Sequence, residues 1–226
     1  MAKAQLRITE IFLSLQGEGP SVGWPTTFIR LTGCPLRCHY CDTSYAFSGG
    51  SLHSLDEIIA ATVGHGARHV CVTGGEPLAQ PRCLDLLVRL CDLGYRVSLE
   101  TSGAIDLDGV DARVVKVMDL KTPGSGEVER NLWRNLDLLN PHDQIKLVLR
   151  DRRDYEWARF MLDQHRLPER VEAVLRAQLT QTGKWRANQV RDQLAPPVRQ
   201  VIELAVLTPG LEAYDTLLGK EVAHGG

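Results

Sequence analysis

Short runs of β-branched and other apolar residues alternate along the chain with segments of helical periodicity. The clearest apolar runs predict four strands, at residues 69–74, 96–101, 114–120 and 144–149. Strands that alternate with helices are typical of a mostly parallel sheet covered by helices. Because such crossovers are right-handed, five or six of these units predict an α/β fold with a partial (β/α)6-type, TIM-like barrel. A doubly wound open sheet is the alternative.

Two of the connecting helices have recognisable ends. Ser54 and Glu57 have the spacing of a capping box, and Gly64 is predicted to end the helix that they begin. The next helix is predicted to start after Pro81 and to stop at Gly94. Its apolar positions follow the spacing i, i+3, i+4, i+7, at Leu84, Leu87, Val88 and Cys91.

The four predicted strands are followed by segments of unusual composition. They end in TGGEP, ETSG, DLKTPGSG and RDRRD, and the first three are rich in glycine and small polar residues. In parallel α/β folds, ligands bind at the carboxyl ends of the strands, and glycine lets the backbone approach a ligand closely. The sequence therefore predicts a binding site at these strand ends.

The last quarter of the chain has a different character. Residues 176–226 are rich in Gln, Arg and Thr, and within them only residues 201–207 have the pattern of a strand or helix. No linker separates this part from the rest. We therefore expect a single domain over residues 1–226, with residues 176–226 as a divergent C-terminal segment.

Composition excludes several classes of function. With 226 residues, 24% of them charged, and a formal net charge of −2, the chain shows no overall bias towards nucleic acid or membrane. Residues 166–199 are locally basic, with seven Lys or Arg against three Asp or Glu, which is the usual composition of a solvated face. The N-terminus lacks a signal-peptide pattern, and no stretch of about 18 apolar residues occurs. We expect a cytoplasmic protein.

Six cysteines in a reducing compartment favour metal binding, catalysis or packing over disulfides. Cys34, Cys38 and Cys41 form a C-x3-C-x2-C pattern, of which roughly 0.004 copies are expected by chance in a chain of this composition. A structural zinc ion needs four protein ligands. His39 could be the fourth, but it lies between two of the cysteines in a tight loop, and no second CxxC pair follows. The remaining cysteines, on apolar strand or helix faces, are interpreted as packing residues: Cys71, Cys83 and Cys91.

Three thiolates also suit a 4Fe-4S cluster with one iron left open. S-adenosylmethionine carries amino and carboxylate groups that can bind an open iron. Reduction of its sulfonium by the cluster then releases a carbon radical.

Several motifs, in order, resemble one enzyme family. CPLRCHYC at 34–41 and TGGEP at 73–77 resemble the cluster and methionine-binding motifs of radical S-adenosylmethionine enzymes. The ordered set SLQGEG, GWPTTFIRLTGC, CDT, TGGEP, ETSG and DLKTPGSGE resembles the 7-carboxy-7-deazaguanine synthases of queuosine and deazapurine biosynthesis. The resemblance extends from about residue 6 to residue 175. Beyond it the family's C-terminal Gln-x-His-Lys-like segment is missing, and the one late histidine is His224.

The resemblance implies roles for individual residues. It implies the cluster ligands Cys34, Cys38 and Cys41, the magnesium ligand Thr43, and loop ordering by Glu76. S-adenosylmethionine would contact Tyr40, Cys41, Asp42, Gly75, Ser102, Asp119, Leu120 and Lys121. The substrate would contact Leu15, Gln16, Gly17, Arg30, Thr73 and Glu100. The family's usual Ser-Pro-Lys is replaced here by Asp119, Leu120 and Lys121.

The resemblance also implies an activity. It is the conversion of 6-carboxy-5,6,7,8-tetrahydropterin to 7-carboxy-7-deazaguanine with loss of ammonia, by a ring-contracting carbon–nitrogen lyase. The cofactors would be a 4Fe-4S cluster, S-adenosylmethionine and Mg²⁺, and the partners a small-molecule pterin, an electron donor such as a flavodoxin, and a second copy of the chain. Two alternatives are a glycyl-radical activase and a zinc-stabilised RNA-binding module that uses residues 166–199 with Trp185.

Overall fold

The computed structural model describes residues 5–178 and 201–205. The strands in these ranges are β1 (Gln5–Leu15), β2 (Pro25–Leu31), β3 (Ser51–Ser54), β4 (His69–Gly74), β5 (Arg96–Thr101), β6 (Val115–Asp119), β7 (Gln144–Leu149), β8 (Glu172–Gln178) and β9 (Val201–Ala205). The α-helices are α1 (Leu55–His65), α2 (Cys83–Asp92), α3 (Arg152–Gln164) and α4 (Leu167–Arg170). Short 3₁₀ helices lie at Gly19–Ser21, Ser44–Phe47, Pro77–Ala79, Pro123–Ser125, Val128–Arg130 and Trp133–Leu138.

All nine strands belong to one sheet, in the order β3-β1-β2-β4-β5-β6-β7-β8-β9. β1 pairs antiparallel with β2 and β3, and every other neighbouring pair is parallel. The two edge strands do not meet, so the sheet is open. The predicted α/β class with a mostly parallel, incompletely closed sheet is confirmed.

The two faces of the parallel strands differ in chemistry. On β7, Ile145, Leu147 and Leu149 belong to the hydrophobic core beneath the helices, whereas Lys146 and Val148 line a cavity on the other face. Successive side chains of a strand point to opposite faces, so one strand serves both the core and the cavity. We call the face without the helices the concave face.

The predicted strands agree closely with the observed ones, and the helices less so. The capping box is present: Ser54 Oγ accepts from the Glu57 N–H at 3.3 Å, and Glu57 Oε2 accepts from the Ser54 N–H at 2.7 Å. The prediction that Gly64 ends this helix was wrong. α1 continues to His65, and Gly66 provides the left-handed cap with φ 69°, the conformation that glycine adopts most easily.

The buried face of α2 is also rotated from the predicted one. Its buried side chains include Cys83, Leu86, Leu87 and Leu90, whereas the predicted core residue Val88 is 37% exposed. Apolar residues also flank the buried face of this helix. The spacing rule therefore assigned Val88 to the core, although it lies beside that face.

Two of the crossovers that the structure describes in full contain no α-helix. The segments between β5 and β6 and between β6 and β7 are irregular or 3₁₀, and buried asparagines tie them down. Asn135 Oδ1 accepts from the Leu107 N–H at 3.0 Å, and Asn131 Oδ1 accepts from the Lys121 N–H at 2.9 Å. These side-chain bonds satisfy backbone groups that a helix would otherwise pair.

The region after β8 is described only in part. The strand or helix predicted at 201–207 is a strand as far as residue 205. Trp185, His224 and the remainder of the predicted divergent segment beyond 178 lie outside the described residues. In the described part of the chain, no helix has the length and apolarity needed to cross a bilayer.

Candidate active site

A cavity of about 350 Å³ lies on the concave face, at the carboxyl ends of the central strands. We call it the upper cavity. The ends of β2, β4, β5 and β6 contribute Arg30, Thr73, Glu100 and Asp119 to its wall. The site predicted at the strand ends therefore lies where TGGEP, ETSG and DLKTPGSG begin. RDRRD does not line this cavity, and β7 contributes Lys146 and Val148 from within the strand.

The three cysteines of the C-x3-C-x2-C pattern all line the upper cavity. They belong to the loop that follows β2, in which the Cys41 N–H bonds to Cys38 O at 3.1 Å. A neighbouring segment holds this loop from outside, because the His39 N–H bonds to Ser125 O at 2.9 Å and the Arg37 N–H bonds to Glu127 Oε1 at 2.5 Å. The loop is thus held by a bond within itself and by two bonds to the segment outside it.

Burial disfavours the charged form of two of these thiols, those of Cys34 and Cys38. It raises the pKa of Cys38 to about 11, although the Lys121 ammonium opposes the shift, and it also raises the pKa of Cys34. Metal binding at these positions must therefore displace protons.

The arrangement does not suit a single zinc ion. Among residues 5–178 and 201–205, no three His, Cys, Asp or Glu side chains converge closely enough to hold one ion. His39, the fourth ligand considered from the sequence, does not line the upper cavity and lies instead against Gly126. A cubane cluster binds each thiolate at a different iron, so it does not require the three sulfurs to converge on one point.

The TGGEP segment lies against the cysteine loop with no space between them. A Cβ on Gly75 would come within 2.3 Å of Gly33 O and 2.8 Å of Cys34 Cβ. The two segments are joined by Gly75 N–H to Leu31 O at 3.1 Å and Glu76 N–H to Gly33 O at 2.7 Å. Gly75 is therefore required by the close approach of two backbones, which the sequence pattern alone does not reveal.

Asp119 and Lys121 form a charged pair in the cavity wall. Lys121 Nζ lies 3.0 Å from Asp119 Oδ2, and both side chains are mostly buried. Burial alone would lower the pKa of Lys121, but Asp119 reverses the effect and the pKa is raised. Asp119 Oδ1 is buried and has no hydrogen-bond partner in the described part of the chain, so this wall can accept a bond from a polar ligand.

Arg30 is oriented by its neighbours. Its Nε donates to Glu10 Oε1 at 2.7 Å, and the Tyr45 hydroxyl donates to the same oxygen at 2.8 Å. Its guanidinium carbon also lies 5.8 Å from the centre of the Tyr45 ring. The guanidinium is thus held at the cavity wall in a fixed direction, as recognition of a carboxylate requires.

Asp42 and Thr43 line the cavity beside Cys41. The Thr43 hydroxyl donates to Asp42 Oδ1 at 2.7 Å, so two hard oxygen atoms lie together at the cavity wall. Oxygen donors of this kind are suited to Mg²⁺.

The structure brings together nearly all the predicted site residues. Those that line the upper cavity are Gln16, Gly17, Arg30, Cys34, Cys38, Tyr40, Cys41, Asp42, Thr43, Thr73, Gly75, Glu100, Ser102, Asp119 and Lys121. The side chain of Leu15 is instead 62% exposed, and that of Leu120 belongs to the hydrophobic core. Glu76 lies behind the cavity wall and is fully buried.

Sequence reasoning missed two charged cavity residues, Glu18 and Lys146. Glu18 is part of the quoted SLQGEG motif, and the polar Lys146 interrupts the apolar β7. The cysteines interpreted as packing residues are all buried. Cys71 differs from the other two because it faces the cavity side, with its Sγ 3.8 Å from Glu100 Oε1.

Comparisons with known proteins agree with this geometry. Residues 28–120 match the family model described as the Radical SAM superfamily. A 7-carboxy-7-deazaguanine synthase of Koribacter versatilis is 48% identical over 75% of this chain and 76% of its own length. A 7-carboxy-7-deazaguanine synthase of Chlorobaculum tepidum is 43% identical over 72% of this chain and 76% of its own length. The crystal structure of QueE from Escherichia coli aligns with a TM-score of 0.65 and 28% identity, covering 77% of this chain and 84% of that one.

Proposed function

Because this chain belongs to the 7-carboxy-7-deazaguanine synthases of the radical S-adenosylmethionine superfamily, we propose that it converts 6-carboxy-5,6,7,8-tetrahydropterin to 7-carboxy-7-deazaguanine. The reaction would be that of a ring-contracting carbon–nitrogen lyase that releases ammonia. One observation carries the proposal: a single cavity is lined by the three thiols, by an oriented guanidinium and by carboxylates.

The residues of the upper cavity fit a 4Fe-4S cluster and S-adenosylmethionine. Cys34, Cys38 and Cys41 would hold three irons, and the polar wall that contains Asp119 Oδ1 would accept a bond from the cofactor. When bound, this pair supplies one-electron chemistry that generates a carbon radical. The further residues that we assign to S-adenosylmethionine are Tyr40, Asp42, Gly75, Ser102 and Lys121, with Leu120 through its backbone.

Recognition of the substrate rests on residues that β2 and β5 contribute to the upper cavity. Arg30, held by Glu10 and Tyr45, would bind the substrate carboxylate, and Glu100 would accept from ring N–H groups. Thr73 lies on β4, the strand between those of Arg30 and Glu100. Together with Gln16 and Gly17, which also line the cavity, it would complete the contacts. Leu15 would serve only through its backbone, since its side chain points to solvent. Orientation of this kind keeps the radical step directed at one carbon.

We assign a Mg²⁺ site to Thr43. Its hydroxyl lies next to the Asp42 carboxylate at the cavity wall, and Mg²⁺ usually completes its shell with waters and substrate oxygens. The ion would orient the substrate carboxylate and spread its charge.

The family resemblance supports four further proposals: a single domain over residues 1–226, a cytoplasmic location, a flavodoxin-type electron donor and a homodimer. The homodimer also has a structural basis. β3 pairs only with Gln5–Ile8 of β1, so the far end of β1 has one side unpaired within the described residues. The apolar Leu13 and Leu15 are exposed on that end, and an unpaired strand with apolar side chains is a surface that a second chain can cover.

An anaerobic assay with reductant, S-adenosylmethionine, Mg²⁺ and 6-carboxytetrahydropterin tests the activity. We expect 7-carboxy-7-deazaguanine and ammonia in equal amounts from a brown protein that absorbs at about 400 nm. A protein with an intact cluster that forms no deazapurine would disprove the substrate assignment. A colourless, zinc-loaded protein would instead support the zinc-stabilised alternative.

A further inference from the structure

Lys146 lies between two carboxylates at the bottom of the upper cavity. Its Nζ is 2.9 Å from Glu18 Oε2 and 3.3 Å from Glu100 Oε2. The lysine side chain is only 9% exposed, whereas the two glutamates remain about one quarter exposed, at 24% and 23%. The ammonium is thus enclosed, and the carboxylates face the cavity.

The three residues come from distant parts of the fold. Lys146 is on β7 and Glu100 on β5, whereas Glu18 belongs to the connection between β1 and β2 and is 128 positions away from Lys146. This connection lies directly on β7, since a Cβ on Gly19 would come within 2.7 Å of Gln144 Oε1. The ion cluster therefore joins the connection between β1 and β2 to strands β5 and β7.

A second cavity of about 450 Å³ lies below the ion cluster, at the amino ends of the strands. We call it the lower cavity. His69, Arg96 and Gln144 belong to its wall, and Glu18, Glu100 and Lys146 line both cavities. The cluster of Glu18, Lys146 and Glu100 is thus the charged part of the partition between the two spaces, which Gln16 and Val117 complete.

The charge balance of the partition explains its arrangement. Two neighbouring, partly exposed carboxylates would repel each other, but one ammonium between them compensates half of their charge. Lys146 Nζ donates to Oε2 of each carboxylate, and Glu100 Oε1 accepts a long bond from the Cys71 thiol. Burial alone would lower the pKa of Lys146, but Glu100 and Glu18 keep it well above its ordinary value, so the lysine stays charged.

We propose that Lys146 is a positioning residue. It fixes the Glu18 and Glu100 carboxylates as a pair with net negative charge, directed at the N–H edge of the 2-amino-4-oxopyrimidine ring of the substrate. The inference rests on the proposed function, because that function supplies a ring with such an edge. Lys146 itself has its ammonium occupied by the two glutamates and acts through them.

Variants of Lys146 test the inference. In the reconstituted enzyme, K146M should raise KM for the carboxypterin about tenfold or more, the loss expected when buried charged acceptors are misaligned. Iron content and the affinity for S-adenosylmethionine should be unchanged. K146R keeps the charge and should remain within about threefold of the wild type. If K146M does not accumulate as folded protein, K146Q should show the same rise in KM.

Lys116 provides a matched control. It is also a buried strand lysine in an ion pair, with Nζ 2.8 Å from Asp143 Oδ2, but it lines neither cavity. K116M should lower thermal stability without changing KM. If K116M raises KM as much as K146M does, the effect reflects stability alone and the inference fails.

Two further measurements separate this inference from the proposed function. Combining K146M with E100Q should raise KM no further than the more damaging single change, because both act on one pair of acceptors. Binding of pterin 6-carboxylate in the presence of S-adenosylmethionine and Mg²⁺ should weaken about tenfold in K146M. Normal binding without product formation contradicts the proposed function, whereas equal binding by wild type and K146M contradicts the role of Lys146.

Discussion

The carboxylate of Glu76 accepts two hydrogen bonds from Ser102, at 2.7 Å from its backbone N–H and at 2.5 Å from its hydroxyl. The same carboxylate accepts from the Thr101 hydroxyl and from the Leu78 N–H, both at 3.0 Å. Glu76 thus joins the end of β4 to the end of β5, and it holds in place the two segments that form the cavity wall. Its side chain is fully buried, so every donor around it depends on this one carboxylate.

Replacing Glu76 with Gln should therefore destabilise the fold. An amide presents its own N–H groups to donors that need an acceptor, and we expect a loss of about 2–4 kcal/mol in the free energy of unfolding. Urea denaturation measures it. E156Q, in an exposed pair with Arg152, is the control and should leave the midpoint unchanged within error. Equal midpoints for E76Q and the wild type would contradict the role of Glu76.

Replacing Gly75 with Ala should push the cysteine loop away from β4. The new methyl group would meet the backbone of Gly33 and the Cβ of Cys34, neither of which can move without displacing the cluster ligand. Iron bound per chain after anaerobic reconstitution should fall to less than about half. Gly64 is the control, since it lies in α1 with open space around its Cβ position. G64A should keep the full iron content and stabilise the protein by up to about 1 kcal/mol. Full iron content in G75A would show that the loop can adjust.

The fold was largely predictable because the parallel strands have simple patterns. Three of the four predicted strands have the predicted bounds, and the fourth differs only at its ends. The antiparallel β3-β1-β2 edge was not predicted, because pairing direction depends on which distant segments meet. The crossovers held by Asn131 and Asn135 could not be predicted either, since a buried asparagine is not distinguishable in sequence from an exposed one.

The candidate site was predictable where residues are close in sequence. Cys34, Cys38 and Cys41 form a local pattern, whereas the contact of Glu18 with Lys146 joins positions 128 residues apart. Leu120 illustrates a different error, in which the motif assigned a residue to the site although its side chain lies in the core. A motif assigns roles to consecutive residues, but on a strand every second side chain points away from the site. The structure accordingly places Asp119 in the cavity wall and the neighbouring Leu120 in the core.

Acid should destabilise the protein through His69. Burial lowers the pKa of His69 below its ordinary value, and the charge of Arg96 lowers it further. Both effects favour the neutral imidazole in the folded state, where its Nδ1 lies 2.9 Å from Thr26 Oγ1. The unfolded chain therefore binds the proton first, so this contribution to stability is complete above the unfolded pKa of about 6.5 and decreases as the pH falls towards the lower folded value.

Urea midpoints measured between pH 7 and pH 5 test this dependence. The decrease in stability should be smaller in H69Q, which retains a polar group opposite Thr26 but cannot titrate. R96Q should also reduce it, although less, because burial remains. An identical decrease in wild type and H69Q would assign the acid sensitivity to other groups.

Replacing Thr43 should impair the use of Mg²⁺ and leave cluster binding unchanged. T43A removes one oxygen ligand beside Asp42 but none of the thiols, so the Mg²⁺ concentration needed for half-maximal turnover should rise about tenfold. Iron content and absorbance at about 400 nm should stay at the wild-type level. S48A removes a nearby exposed hydroxyl that does not line the cavity, and it should match the wild type in both measurements. If T43A loses iron as well, the hydroxyl supports the cysteine loop, and the magnesium role assigned to it is wrong.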